Sequence, residues 1–174
     1  MPEFSLTENF PRDCDNLHRF PLYEWGPFLF AGLNQSFNFD EVIKPIKERV
    51  GFLPLEQFVF DASMSKDYLV QAHWALYCDN YLEGFHIPFV HEGLNKVLDY
   101  GSYKTELYKY SNLQIGFSDD SNEVFDLPKG HIDYGKKVAA YYYWVFPNMM
   151  FNFYPWGLSV NIAVSYTHLR AHET

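Results

Sequence analysis

The segment Asn80–His91 reads Asn-Tyr-Leu-Glu-Gly-Phe-His-Ile-Pro-Phe-Val-His and concentrates the side chains best suited to chemistry. Asn80, Glu83 and His86 recur at i, i+3 and i+6, so on a helix they form one polar line, with Asp79 beside it. Around that line Trp74, Tyr77, Tyr81 and Phe85 recur at helical spacing, with Leu76 and Leu82 next to them. This spacing predicts a helix with a broad apolar face. Polar groups on such a helix cost free energy unless something pairs with them. His91 follows His86 at i+5, and on an unbroken helix the two rings would diverge by about 140°. Pro88 lies between them and should end or kink the helix, which would let both imidazoles turn toward one ion. Two imidazoles with one carboxylate leave an open coordination face, the arrangement that non-haem Fe(II) uses to admit O2 and substrate. His-x4-His by itself is also met by ordinary core histidines. A zinc hydrolase with Glu83 as general base would need His-Glu-x-x-His on an unbroken helix, a spacing this segment lacks.

The longer string Asn-Tyr-Leu-Glu-x-x-His-x-Pro-x-x-His closely resembles the iron-binding helix of the Rieske non-haem iron oxygenases, the ring-hydroxylating oxygenase large subunits. Trp74, the Trp25–Phe30 stretch and the aromatic run Tyr141–Trp144 extend the resemblance over most of residues 1–163. The resemblance implies that His86 and His91 are iron ligands. It places Glu83 where the family keeps an acidic residue that hydrogen-bonds a ligand histidine and links the iron to a neighbouring subunit's Rieske cluster. Asn80 would lie at the open side of the metal. The implied cofactors are mononuclear Fe(II), a [2Fe-2S] cluster and NADH acting through a separate reductase. The implied partners are O2, a small-molecule substrate, a reductase or ferredoxin, and two further copies in a homotrimer. Aromatic-ring hydroxylation by a dioxygenase is one outcome. The string Cys78–Pro88 is also similar to the choline and carnitine monooxygenase branch, whose substrates are quaternary amines. Tyr141–Trp144 with Tyr154-Pro155-Trp156 could then form a cation–π cage, although core packing explains the same residues.

Two departures from the family pattern stand out. A Rieske centre needs two Cys and two His, and Cys14 with His18 supplies too few. The chain therefore reads as starting just after that domain's last ligands. The third iron ligand, an Asp in a C-terminal helix in the family, is expected beyond residue 163. Asp119, Asp120, Asp126 and Asp133 sit among turn residues and read as solvated loop positions, as does His131; His73 reads as a strand end. The terminal stretch Val164–Thr174 resembles one reading frame of a sequencing-library transposase adapter, so His168 and His172 are excluded from any site. On this reading the chain is a truncated piece, poorly stable and inactive alone.

The elements that must position the site are then as follows. A strand covers Trp25–Leu33, and a helix capped by Asp40 runs to Gly51. Strands are expected at Phe58–Phe60 and Tyr68–Ala72, ahead of the aromatic helix. A short helix at Glu92–Leu98 follows, and then strands at Tyr103–Tyr110, Leu113–Phe117, Val138–Phe146, Met149–Tyr154 and Leu158–Ala163, with a hairpin at Pro147-Asn148. The class is α+β, and the resemblance implies a helix-grip fold of the START/SRPBCC type, an antiparallel sheet around a helix, cut short at its C-terminus. Residues 1–35 read as the end of a Rieske domain with its linker, 36–163 as the N-terminal part of the catalytic domain, and 164–174 as the adapter tail. Without a metal, the same elements would make a helix-grip module that binds a small apolar molecule.

Composition supports a packed domain. Of 174 residues, 48% are hydrophobic and 20% aromatic. A net charge of −9 argues against nucleic acid and anionic membrane surfaces as partners. Cys14 and Cys78 suit free thiols in a reducing cytoplasm.

Overall fold

The computed structural model describes residues 7–90, 103–118, 120 and 123–165. The chain divides into two units, Met1–Phe37 and Asn38–Thr174. In the first, β1 (Leu22–Trp25) and β2 (Phe28–Ala31) form an antiparallel hairpin. The strand expected at Trp25–Leu33 is shorter, Phe28–Ala31, and it pairs with the preceding Leu22–Trp25 because Gly26 adopts φ 53° and turns the chain with Pro27. Trp25 packs against Phe28, with ring centroids 5.8 Å apart.

The second unit opens with α1 (Phe39–Val50). Its cap is Asn38 rather than Asp40: the Asn38 side chain accepts the Asp40 N–H at 2.9 Å. Asp40 and Glu41 occupy the first turn, Lys47 and Arg49 the last, each matching the helix dipole. Val42, Ile43, Ile46 and Val50 are buried along one stripe. A Cβ at Gly51 would meet the Lys47 carbonyl, so the stop after Val50 needs a glycine.

The strands expected at 58–60 and 68–72 are absent. The chain instead passes through two 3-10 turns, Leu55–Gln57 and Ala62–Met64, and Val59, Phe60, Tyr68 and Leu69 are exposed. Alternating apolar residues make a strand only where a partner strand and a covering layer receive them. Neither is present here among the described residues.

Helix α2 (Trp74–Leu82) follows, capped by the His73 ring, whose Nδ1 accepts the Ala75 N–H at 3.2 Å. His73 is therefore a helix cap and not a strand end. A short helix α3 (Ile87–Val90) comes next. The expected helix at Glu92–Leu98 lies outside the described residues.

The remaining strands form one antiparallel meander, β3 (Lys104–Leu107), β4 (Ser111–Phe117), β5 (Val138–Val145), β6 (Met149–Tyr154) and β7 (Gly157–Ile162), in the order β3-β4-β5-β6-β7. The hairpin at Pro147-Asn148 joins β5 to β6 as expected. Register alternates two faces. Leu113, Tyr143 and Phe151 are directly paired across β4, β5 and β6, as are Ile115, Tyr141 and Phe153. This face receives α1, since the Tyr143 hydroxyl donates to the Pro45 carbonyl at 3.2 Å. The opposite face carries Gln114, Tyr142 and Asn152 in one row and Asn112, Trp144 and Met150 in the next. Helix α2 lies on it: Tyr81 packs against Ala140 and Tyr142, and Cys78 against Met150. The expected class, an antiparallel sheet wrapped on a helix, is what forms, with α1 as a second layer. Because both faces are covered, β5 is buried nearly throughout. Among the described residues no helix is long and apolar enough to cross a membrane.

Candidate metal centre

Asn80, Glu83 and His86 do not share one continuous helix. Helix α2 ends at Leu82, and Glu83, its cap residue, is already extended at φ −101° and ψ 142°. The break falls before His86 and not at Pro88. Pro88 sits in the first turn of α3, where its missing N–H is tolerated. The His86 carbonyl begins that turn, accepting from Phe89 at 3.0 Å and Val90 at 2.9 Å.

Glu83 nevertheless reaches His86. Its Oε1 is hydrogen-bonded to His86 Nδ1, and its Oε2 accepts the Phe85 N–H at 2.6 Å. One carboxylate thus closes the loop between the two helices. The His86 hydrogen bond, with the Phe85 N–H adding to it, holds the Glu83 carboxyl below the usual carboxylate range. An ionised carboxylate only accepts, so Nδ1 carries the proton in this contact. An imidazole whose Nδ1 is held by an outer carboxylate is the arrangement that metal-binding histidines use. His86 is half-buried, with its side chain 20% exposed. Asn80 is exposed on α2. Tyr77 and Phe85, expected on the buried face, are exposed as well. His91 and Asp119 lie outside the described residues. Among the described residues no three His, Cys, Asp or Glu side chains gather as a metal group.

Asp133 and His131 are not solvated loop residues. Asp133 is fully buried and pairs with Arg49, with Lys136 Nζ at 2.6 Å and with the Tyr141 hydroxyl at 3.1 Å. His131 Nε2 donates to the Arg49 carbonyl at 2.7 Å, and its Nδ1 accepts the Asp133 N–H at 3.1 Å. Arg49 also meets Glu106 at 2.5 Å, and Glu106 accepts from Lys104 at 2.6 Å and from Tyr108 at 2.8 Å. Burial alone would push the Asp133 carboxyl up, but Lys136 and Arg49 outweigh it and hold the group low. Asp120 and Asp126 are exposed as expected. The sequence did carry a signal for this cluster: Arg49 falls on the same helical stripe as Val42, Ile46 and Val50. A cation inside an apolar stripe requires a buried anion.

The aromatic run divides between the faces. Tyr141 and Tyr143 face α1 and fill the core, whereas Tyr142 and Trp144 face α2. Tyr142 meets Tyr154 edge-on at 5.8 Å, and Tyr154 stacks on Trp156 at 4.7 Å.

With that geometry established, the comparisons define the class. The family model for the ring hydroxylating alpha subunit (catalytic domain) matches residues 55–163, and the chain belongs to that family.

Among curated proteins the chain is similar to the chloroplastic choline monooxygenase of Arabidopsis thaliana. The two are 30% identical over 146 residues, spanning 76% of this chain and 33% of that one. The Amaranthus tricolor choline monooxygenase is also 30% identical, over 147 residues that span 79% of this chain and 31% of that one. The chain therefore spans about a third of the length of these relatives. Among solved structures it resembles the quaternary ammonium Rieske monooxygenase CntA, at TM-score 0.62 and 17% identity over 87% of this chain and 42% of that one. A second structure, of a quaternary ammonium Rieske monooxygenase, matches at TM-score 0.61 and 19% identity over 89% of this chain and 41% of that one. At those identities the likeness is one of fold.

Proposed function

We propose that this chain is the iron-holding part of a Rieske-type oxygenase acting on a quaternary amine. The observation that carries the reading is the Glu83–His86 pair, a carboxylate fixing the tautomer of a half-buried imidazole at the family's motif. His86 and His91 are the proposed iron ligands, completed by a carboxylate from beyond residue 163. Such an iron, supplied with electrons from a Rieske [2Fe-2S] cluster through a reductase, would activate O2 for hydroxylation. Glu83 has two tasks. It holds the His86 Nδ1 proton, and it offers the hydrogen-bonded path by which a neighbouring subunit's cluster would connect to the site. Asn80 shapes the open side.

The quaternary-amine reading is favoured over an aromatic ring by the choline monooxygenase relatives. Tyr154 and Trp156, stacked at 4.7 Å beside the buried Tyr142, are the rings proposed to receive a trimethylammonium group. A homotrimer is the proposed assembly, because the cluster donor must come from another copy. Both cysteines are free thiols, which suits a reducing compartment. The chloroplastic relatives make a plastid interior as compatible with this as the cytoplasm.

The test is anaerobic Fe(II) loading followed by an iron-to-protein ratio for the chain and for the double variant His86→Ala/His91→Ala. Loss of bound iron in the variant is expected. Equal iron in both would remove the metal reading and leave a helix-grip binding module.

A further inference from the structure

The sheet carries a buried amide that the proposed chemistry does not use. Gln114, in the middle of β4, is 2% exposed and faces α2. A buried side-chain amide is costly where it is left unpaired. Both ends of this one are paired. Its Nε2 donates to the Tyr81 carbonyl at 2.8 Å, and its Oε1 accepts the Tyr103 hydroxyl at 2.9 Å. The Tyr81 carbonyl belongs to the last turn of α2, where carbonyls have no partner within the helix. The Tyr81 side chain is held separately: its hydroxyl donates to Asn152 Oδ1 at 2.7 Å. Asn152 donates on to Asn161 Oδ1 at 2.7 Å, and Asn161 donates to the Tyr77 hydroxyl at 3.1 Å, one turn back along α2. The final turn of the helix is thus tied to β4 and β6, and the turn before it to β7.

Two residues after Tyr81 comes Glu83, whose carboxylate holds His86. The N–H of Glu83 still bonds the Asp79 carbonyl at 3.2 Å, so the carboxylate starts from the helix end that Gln114 grips. We propose that Gln114, oriented by Tyr103, is a positioning residue that sets the Glu83–His86 pair by fixing where α2 ends. The chain of contacts runs from the rigid sheet through the Tyr81 carbonyl to Glu83 and then to the ring. Among the described residues, the hydrogen bonds of Gln114 go to Tyr81 and Tyr103 and not to Glu83 or His86. The proposal rests on the iron reading only for its consequence, since the orientation of the imidazole can be measured without metal.

The experiment is side-chain nitrogen NMR of His86 in the metal-free chain at about pH 8, where an ordinary imidazole is neutral. The unaltered chain should show one tautomer, protonated at Nδ1. Gln114→Glu keeps the acceptor for Tyr103 but loses the donor to Tyr81, and His86 should then shift to a mixture of both tautomers. Tyr103→Phe keeps the donor and should shift the resonances far less. Gln114→Met, which removes both bonds at similar volume, should also give a mixture of tautomers, and it decides the matter if Gln114→Glu does not fold. A purely structural role would lower the melting temperature of these variants while leaving the His86 resonances unchanged, and that result would overturn the proposal. If His86→Ala/His91→Ala leaves iron content unchanged while Gln114→Glu still mixes the tautomers, the iron reading falls and the positioning role stands.

Discussion

Replacing Arg49 with Met tests whether the α1 side of the sheet is held by charge or by packing. The Arg49 side chain is 5% exposed and sits between Asp133, at 1%, and Glu106, at 20%. Met keeps most of the buried stem and removes the guanidinium. Asp133 then retains Lys136 and the Tyr141 hydroxyl, while Glu106 retains Lys104 and Tyr108. Removing one partner of a buried ion pair costs about 3–5 kcal/mol, because the charge left behind stays desolvated. The remaining cations make the lower end of that range the better figure here. Against a total stability of about 5–15 kcal/mol, this is a large fraction.

Urea unfolding followed by tryptophan fluorescence should show a midpoint lower by about 1–3 M for a slope of about 1–3 kcal/mol/M. The pH dependence sharpens the test. Asp133 and Glu106 are both held below their ordinary values, so the unfolded chain binds more protons than the folded one in acid. Their contribution is complete above the unfolded values of about 4 and is lost as the pH falls through the lower folded values. In Arg49→Met that contribution is reduced, so the gap between the two proteins should narrow from pH 7 to pH 3. A loss below about 1 kcal/mol at pH 7, or a gap independent of pH, would refute the reasoning.

Glu83→Gln should weaken Fe(II) binding about 10–100-fold, read by anaerobic titration, because the amide no longer enforces one His86 tautomer. Asn38→Ala should destabilise the chain by about 1 kcal/mol in the same urea assay, through loss of the α1 cap. Val59→Ser should change stability by no more than about 0.5 kcal/mol, since Val59 is 90% exposed; a loss beyond about 1.5 kcal/mol would mean that this residue is buried after all.

Local chemistry made some elements readable in advance. The meander from β3 to β7 announced itself through β-branched and aromatic runs separated by turn residues, and strand alternation needs only neighbours in sequence. The family motif around His86 was equally legible, because it rests on particular residue types at particular spacings. The Glu83–His86 contact survived even though the helix expected to carry it ends at Leu82. A long carboxylate side chain reaches i+3 through a turn as well as along a helix.

Other features were decided only by what packs on what. Val59 and Tyr68 follow a strand pattern but lie exposed, as pattern cannot supply a missing partner. Asp133 sits among turn residues, and its burial follows from Arg49, 84 positions earlier in the chain. Gln114, between Leu113 and Ile115, alternates like a solvent-facing residue of a one-sided sheet. It is buried because α2 covers that face. The sequence by itself therefore determined the sheet and the pairing of Glu83 with His86. The tertiary structure alone decided which polar residues are buried, since burial depends on the second layer, and period-two alternation carries no information about whether that layer exists.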